Sequence, residues 1–202
     1  MIEQMNYFFF SMINATPASP PWMISFATFI ARDLIMIIPV SLVGLWLWGP
    51  KNSMDSQRAL VTKTAIALAF SMLSAACIGM LIPHDRPFVV GFGYNFMSHA
   101  PDSSFPSDHG TAIFTFALAF VFWHELWSAI SMMIIAVAIA GSRIYLGVHW
   151  PLDMVGGFLL GIVGCLFAQL VWNLFGEAIS DGLKRIYYVI FALPIRRGWV
   201  RS

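Results

Sequence analysis

Long apolar runs separated by short polar turns dominate the chain. They cover Trp22–Trp48, Ala59–Ile82, His109–Trp123, Trp127–Tyr145 and Leu152–Phe175. A helix needs roughly 20 mostly apolar residues to cross a bilayer, and a helix satisfies its own backbone polar groups there. The pattern predicts an all-α polytopic membrane bundle of about five transmembrane helices. The run His109–Trp123 is short by itself and is completed by its flanks. Tyr7–Ile13 is too short to cross, which predicts a short N-terminal helix at the interface or packed on the bundle. Pro17, Pro20 and Pro21 break the chain before the first span. With no internal repeat or low-complexity linker, residues 1–202 read as one domain.

Composition narrows the class further. Only 10% of residues are charged and 59% are hydrophobic, with a mean hydropathy of +0.77. Such a chain has too few polar side chains to cover a soluble surface, where about 25% charged residues is usual. An ordinary cytosolic enzyme, a nucleic-acid binder and a disordered tail are excluded. The net charge of +1 offers no pull on a polyanionic partner. Cys77 and Cys165 each lie in an apolar run and read as small hydrophobes. Met1–Asn14 carries Glu3 and no Lys or Arg, so it reads as part of the protein and not as a secretory signal.

Charge distribution then sets an orientation. With the N-terminus outside, Lys51, Arg58, Lys63, Lys184, Arg185, Arg196, Arg197 and Arg201 fall on the cytoplasmic side, eight of the eleven basic residues. Arg86 and Arg143 fall outside, and Arg32 lies within the first span. The positive-inside rule therefore predicts N-out, C-in. In that frame His84, Asp85, Arg86, His99, Asp102, Asp108, His109, Arg143, His149 and Asp153 all gather near the outer face. Polar groups are costly in so apolar a protein, so the cluster marks a candidate site.

Three segments carry the chemistry. In His84-Asp85-Arg86-Pro87-Phe88, Arg86 offers a planar fork suited to phosphate or carboxylate; alone, it would read as an interfacial arginine. In Phe105-Pro106-Ser107-Asp108-His109-Gly110-Thr111, Ser107 reads as a helix N-cap. The backbone N–H groups of that first turn favour an anion, and His109 sits in the same turn. In the segment Ser142 to Asp153, Pro151 suits the first helical position. Asp153, four residues after His149, can accept a hydrogen bond from the imidazole and leave its other nitrogen a better nucleophile or base. Arg143 adds a second guanidinium. Two arginines, one carboxylate-paired histidine, one unpaired histidine and two helix N-termini predict phosphoryl transfer without an obligatory metal.

These segments resemble the tripartite signature of the type-2 phosphatidic acid phosphatase superfamily. The third matches in full, as Ser142-Arg143, five residues, His149, three residues, Asp153. The second reads Pro106-Ser107-Asp108-His109, with Asp108 where most members have Gly. The first keeps Arg86-Pro87, but the family's lysine seven residues earlier falls on Gly79; His84 or a nearby backbone amide is a candidate substitute. Within the superfamily the chain is most similar to the undecaprenyl pyrophosphate phosphatases of enteric bacteria.

The resemblance implies hydrolysis of a polyprenyl diphosphate lipid to undecaprenyl phosphate and phosphate, with no cofactor and no metal. His149 would attack phosphorus and form a phospho-histidine, Asp153 would orient it, and His109 would protonate the leaving group and then activate water. Arg86, Arg143, Ser107 and the backbone of the Asp108 turn would hold the phosphate oxygens. The expected place is the outer face of the bacterial inner membrane, in recycling the lipid carrier of cell-wall synthesis, with bacitracin resistance implied. The rival readings are a phosphatase or phosphotransferase for another lipid phosphate, such as phosphatidylglycerol phosphate or phosphatidic acid. More distant rivals are a metal hydrolase using His84, Asp85, His99, Asp102 and His109, and a non-enzymatic lipid transporter. Elsewhere, Gly156-Gly157, Gly161 and Gly164 predict close helix packing. Arg32-Asp33 reads as a structural ion pair, His124-Glu125 as a cytoplasmic turn, and Lys184 to Arg201 as an anchor to anionic headgroups.

Overall fold

A computed structural model describes residues 1–49 and 51–201; the side chain of Lys51, one of the basic residues assigned to the cytoplasmic side, lies outside that description. The described chain is all-helical: α1 Ile2–Ile13, α2 Pro21–Arg32, α3 Ile37–Trp48, α4 Met54–Leu81, α5 Asp108–Trp123, α6 Leu126–Tyr145, α7 Pro151–Ile190 and α8 Ala192–Arg196. Four stretches, Pro21–Trp48, Met54–Leu81, Leu126–Tyr145 and Pro151–Ile190, are long and apolar enough to cross a membrane.

The remaining apolar helix, α5, is the best enclosed. It packs against α4, α6 and α7, and ten of its 16 residues are buried. At about 24 Å it is shorter than the ~30 Å hydrocarbon core. Its neighbours enclose its middle, from Gly110 to Phe120, and leave Asp108, Val121 and Phe122 exposed at its ends. Ile113, Phe116 and Ala117 of α5, Ile139 of α6 and Met154 of α7 form the central core.

Glycine sets the spacing between α7 and its neighbours. A Cβ on Gly157 would lie 2.6 Å from the backbone nitrogen of Thr111, and one on Gly161 would lie 3.0 Å from that of Thr115. On the α4 side, a Cβ on Gly164 would lie 2.9 Å from the Ala67 carbonyl oxygen. The predicted close packing is therefore present, and it brings the N-terminus of α7 beside that of α5.

The first span is not the single helix expected over Trp22–Trp48. A 3₁₀ turn, Leu34–Met36, separates α2 from α3. Pro39 explains the break: it has no N–H to give the Ile35 carbonyl, and its ring crowds that oxygen in an α-helix. The last span also differs, because α7 continues beyond Phe175 to Ile190. The polar residues Glu177, Asp181 and Lys184 end the apolar run without a proline to stop the helix. The basic tail then folds back on the bundle. Arg201 N–H donates to the Leu47 carbonyl at 3.0 Å, and Trp48 Nε1 donates to the Trp199 carbonyl at 2.8 Å.

At the other end, α1 packs on the bundle through Phe10, which is fully buried. Asn6 Oδ1 accepts the Leu152 backbone N–H at 3.0 Å and so caps the first turn of α7. Between α4 and α5, residues 82–107 form a long irregular loop across this end.

Candidate active site

The site forms where the N-termini of α5 and α7 meet the loop 82–107 and the α6–α7 turn. Gly147 makes that turn possible. Its φ is +80°, and a Cβ there would lie 2.0 Å from the Tyr94 carbonyl oxygen. The chain reverses there and carries His149 back beside Arg143. Trp150 then locks the turn. It is 1% exposed, packs against Tyr7, Phe10 and Phe92, and donates its indole N–H to the Asp85 carbonyl at 2.8 Å.

His149 lies at the centre. Its Nδ1 is 3.1 Å from Asp153 Oδ2, and both side chains are buried. Its Nε2 lies 3.0 Å from Arg86 Nη1 and 3.3 Å from Arg143 Nη2. Guanidinium N–H groups can only donate. Nε2 must therefore present its lone pair, which places the ring proton on Nδ1, facing the carboxylate. Burial, reinforced by Arg143 and Arg86, holds this imidazole neutral well below its ordinary pKa.

The same Asp153 oxygen also accepts the Trp150 backbone N–H at 2.8 Å and the Ser104 hydroxyl. Ser104 is fully buried and is not among the residues the sequence points to. No motif marks it, and its only signal is its place in the polar stretch Asp102–Ser104.

Both arginines are anchored by backbone. Arg86, 2% exposed, donates from Nη1 to the Val148 carbonyl at 2.9 Å and from Nη2 to the Ser103 carbonyl at 3.2 Å. Asp102 Oδ1 holds its other edge at 2.8 Å. Arg143 Nη1 donates to the Ala31 carbonyl at 3.3 Å, which ties α6 to the end of α2. Ser107 caps α5 as predicted, accepting the Gly110 N–H at 3.2 Å, and its own N–H donates to the Asp153 carbonyl at 3.2 Å. That bond joins the two helix starts. Asp108 is the first residue of α5 and is exposed.

A cleft of about 320 Å³ opens beside His149, lined by Thr28, Arg32, Phe96, Met97, Ser98, His99, His109 and Arg143. Its volume is at the lower end for a ligand cleft, roughly 300–1,000 Å³. A larger cleft of about 900 Å³, between Asp55 and Trp172–Lys184, lies at the opposite end and contains none of the signature residues. The smaller cleft is the candidate site, because His99, His109 and Arg143 line it and Arg143 reaches His149 Nε2.

His99 lies outside the signature, yet its ring centroid is 5.9 Å from that of His149. Burial lowers its pKa below the ordinary value. His84 is placed differently: its ring packs against Trp150, with centroids 6.4 Å apart, and it does not line the cleft. At the position of the family lysine, Gly79 faces the Phe105 carbonyl. Among the described residues, no three His, Cys, Asp or Glu side chains gather as metal ligands, so the five named for a metal hydrolase do not form one set.

Known proteins share this architecture. The PAP2 superfamily profile matches residues 60–177, which hold all three signature segments. Over all 202 residues, and the full length of both proteins, the chain is 59% identical to the Escherichia coli protein named "Putative undecaprenyl-diphosphatase YbjG". It is 29% identical over 189 residues to the undecaprenyl-diphosphatase BcrC of Bacillus subtilis, covering 92% of this chain and 93% of that one. Among solved structures, Aquifex aeolicus LpxE shares the fold, with a TM-score of 0.68 at 23% identity over 82% of this chain and 94% of that one. The chain is a multi-pass membrane protein, and it belongs to the PAP2 superfamily.

Proposed function

We propose that this protein hydrolyses undecaprenyl diphosphate to undecaprenyl phosphate and inorganic phosphate at the outer face of the bacterial inner membrane. The observation that carries the reading is the set around His149: a carboxylate on Nδ1, two guanidiniums at Nε2, and an open cleft beside it that is also lined by His109. The names of the full-length relative and of BcrC support the choice of substrate.

In this reading the terminal phosphate sits where Arg86 and Arg143 converge. Ser107 and the backbone N–H groups of the Asp108 turn add donors. Nε2 of His149 attacks phosphorus, and the bond to the bridging oxygen breaks. Asp153 stabilises the positive charge that develops on the imidazole. His109 delivers a proton to the departing oxygen, then takes one from the water that cleaves the phospho-histidine. Phosphate leaves and His149 is restored. The step balances without a metal, and the product is the carrier lipid ready for another round of cell-wall synthesis.

The orientation, N-terminus outside and C-terminus in the cytoplasm, follows from the basic residues. Arg58, Lys63 and Lys184 cluster with the returning tail at the end opposite the site. A reporter that functions only in the cytoplasm should be active when fused at the C-terminus, and activity only after periplasmic fusion would reverse the topology.

The function is tested by phosphate release from purified protein with chelator present. Undecaprenyl diphosphate and phosphatidic acid would be compared in wild type and His149→Ala. We expect release from the diphosphate, cut at least about a thousandfold by the substitution. Release from phosphatidic acid alone would replace the substrate, and release indifferent to His149 would remove the mechanism.

A further inference from the structure

Arg32 is a basic residue within a span, outside the family signature. The 3₁₀ break after α2 leaves it at the rim of the site cleft, with Thr28 one helical turn before it and His99, His109 and Arg143 across from it. Its position is fixed from behind, because the preceding residue, Ala31, is fully buried and its carbonyl accepts from Arg143. Arg86 and Arg143 are buried and bonded to backbone carbonyls, but the Arg32 side chain is 70% exposed. Among the described residues its partner is the adjacent Asp33, at 3.0 and 3.2 Å, itself 42% exposed. So exposed a pair, near the outer end of the first span, adds little stability. Stability does not account for Arg32. Its place on the cleft does.

In-line displacement puts the leaving group on the far side of phosphorus from His149, the side where the proposed general acid His109 has to act. Arg32 lines the same cleft as His109. When a diphosphate is cleaved, the electron pair of the breaking P–O bond goes to the bridging oxygen. His109 protonates that oxygen in either case, but the departing phosphate monoester still carries anionic non-bridging oxygens. When a phosphate monoester is cleaved, the departing group is an alcohol and needs only a proton. A cation here discriminates between the two. We propose that Arg32 is a specificity-determining residue that binds the departing, lipid-linked phosphate and makes the site selective for diphosphates. This rests on the diphosphatase reading above.

The test compares farnesyl diphosphate with farnesyl monophosphate, which share one tail, in wild type, Arg32→Gln and Arg32→Lys. Arg32→Gln should lower the diphosphate-to-monophosphate ratio of kcat/KM by about ten- to a hundredfold, the scale of one lost charge-assisted hydrogen bond. Arg32→Lys keeps the charge and should retain most of the ratio. As a second readout, the inhibition constant for undecaprenyl phosphate should rise about tenfold in Arg32→Gln relative to that for inorganic phosphate. Normal diphosphate hydrolysis with an unchanged ratio, or an equal fall for both substrates, would overturn the subsite alone. A wild type that hydrolyses phosphatidic acid but no diphosphate would overturn the diphosphatase reading and the subsite with it.

Discussion

At the scale of single residues, the site depends on one proton being in the right place. Asp153 holds it on Nδ1 of His149, and Ser104 and the Trp150 N–H hold Asp153. Asp153→Asn removes the charge that favours the imidazolium and should lower kcat by roughly a thousandfold with the fold intact. Ser104→Ala leaves the carboxylate with its contacts to His149 and Trp150; we expect a fall of about tenfold in kcat with little change in KM. The pH profile follows from His149. In the proposed mechanism the neutral ring attacks, and burial with the two guanidiniums keeps it neutral below the ordinary value of 6.5. The acid limb of kcat/KM should therefore lie below pH 6.5, and Arg143→Gln should move it to higher pH while lowering the rate. A limb at or above 6.5 in the wild type would contradict this electrostatic picture. His149, Asp153, Arg86, Arg143, Ser107 and His109 could be singled out from the sequence as candidates, by residue type and spacing around Pro87, Pro106 and Pro151. Ser104 could not, and His99 stood out only as one of the polar residues near the outer face, because both lie in a loop that no spacing rule describes.

At the scale of elements, the packing of α5 on α7 sets the distance between the two helix starts that carry the site. A methyl group on Gly157 would meet the Thr111 backbone, which cannot swing aside as a side chain could. Gly157→Ala should cost about 1–3 kcal/mol, lower the thermal midpoint in detergent, and reduce activity by moving Asp153 away from His109. A methyl group on Gly44 would meet no atom within 4 Å; Gly44→Ala should leave both stability and activity unchanged. The existence and order of the helices were readable from apolar runs, and their ends less so. The end of an apolar run marks where lipid contact stops, not where hydrogen bonding stops, which is why α7 outlasts Phe175. The break near Leu34 has a readable cause in Pro39, yet a run that stays mostly apolar on both sides of Arg32-Asp33 concealed it.

At the scale of the whole molecule, the tail closes the end opposite the site. The Arg58 guanidinium lies 4.4 Å from the centroid of the Tyr187 ring and donates to the Arg201 carbonyl at 3.1 Å. Removing residues 192–202 strips the Arg201 contact and the Trp48–Trp199 bond. The thermal midpoint should fall by several degrees, with kcat/KM unchanged because the site lies at the other end. Loss of activity without loss of stability would show coupling along α7.

Membrane residence and helical class follow from the sequence by itself, because the bilayer demands one composition and one way to satisfy the backbone. The candidate reacting side chains could be named from it too, because the proposed phosphoryl transfer calls for particular groups at helix starts. Tertiary structure decided which cations and imidazoles share a cleft. Ser104 lies beneath Asp153, His99 faces His149, and Arg32 stands on the rim. Ser104 and Asp153 are 49 residues apart in the chain, and the Ala31 carbonyl that holds Arg143 is 112 residues away from it. Such proximity is a property of packing, set by the glycine contacts of α7 and the break after α2, and no local pattern encodes it.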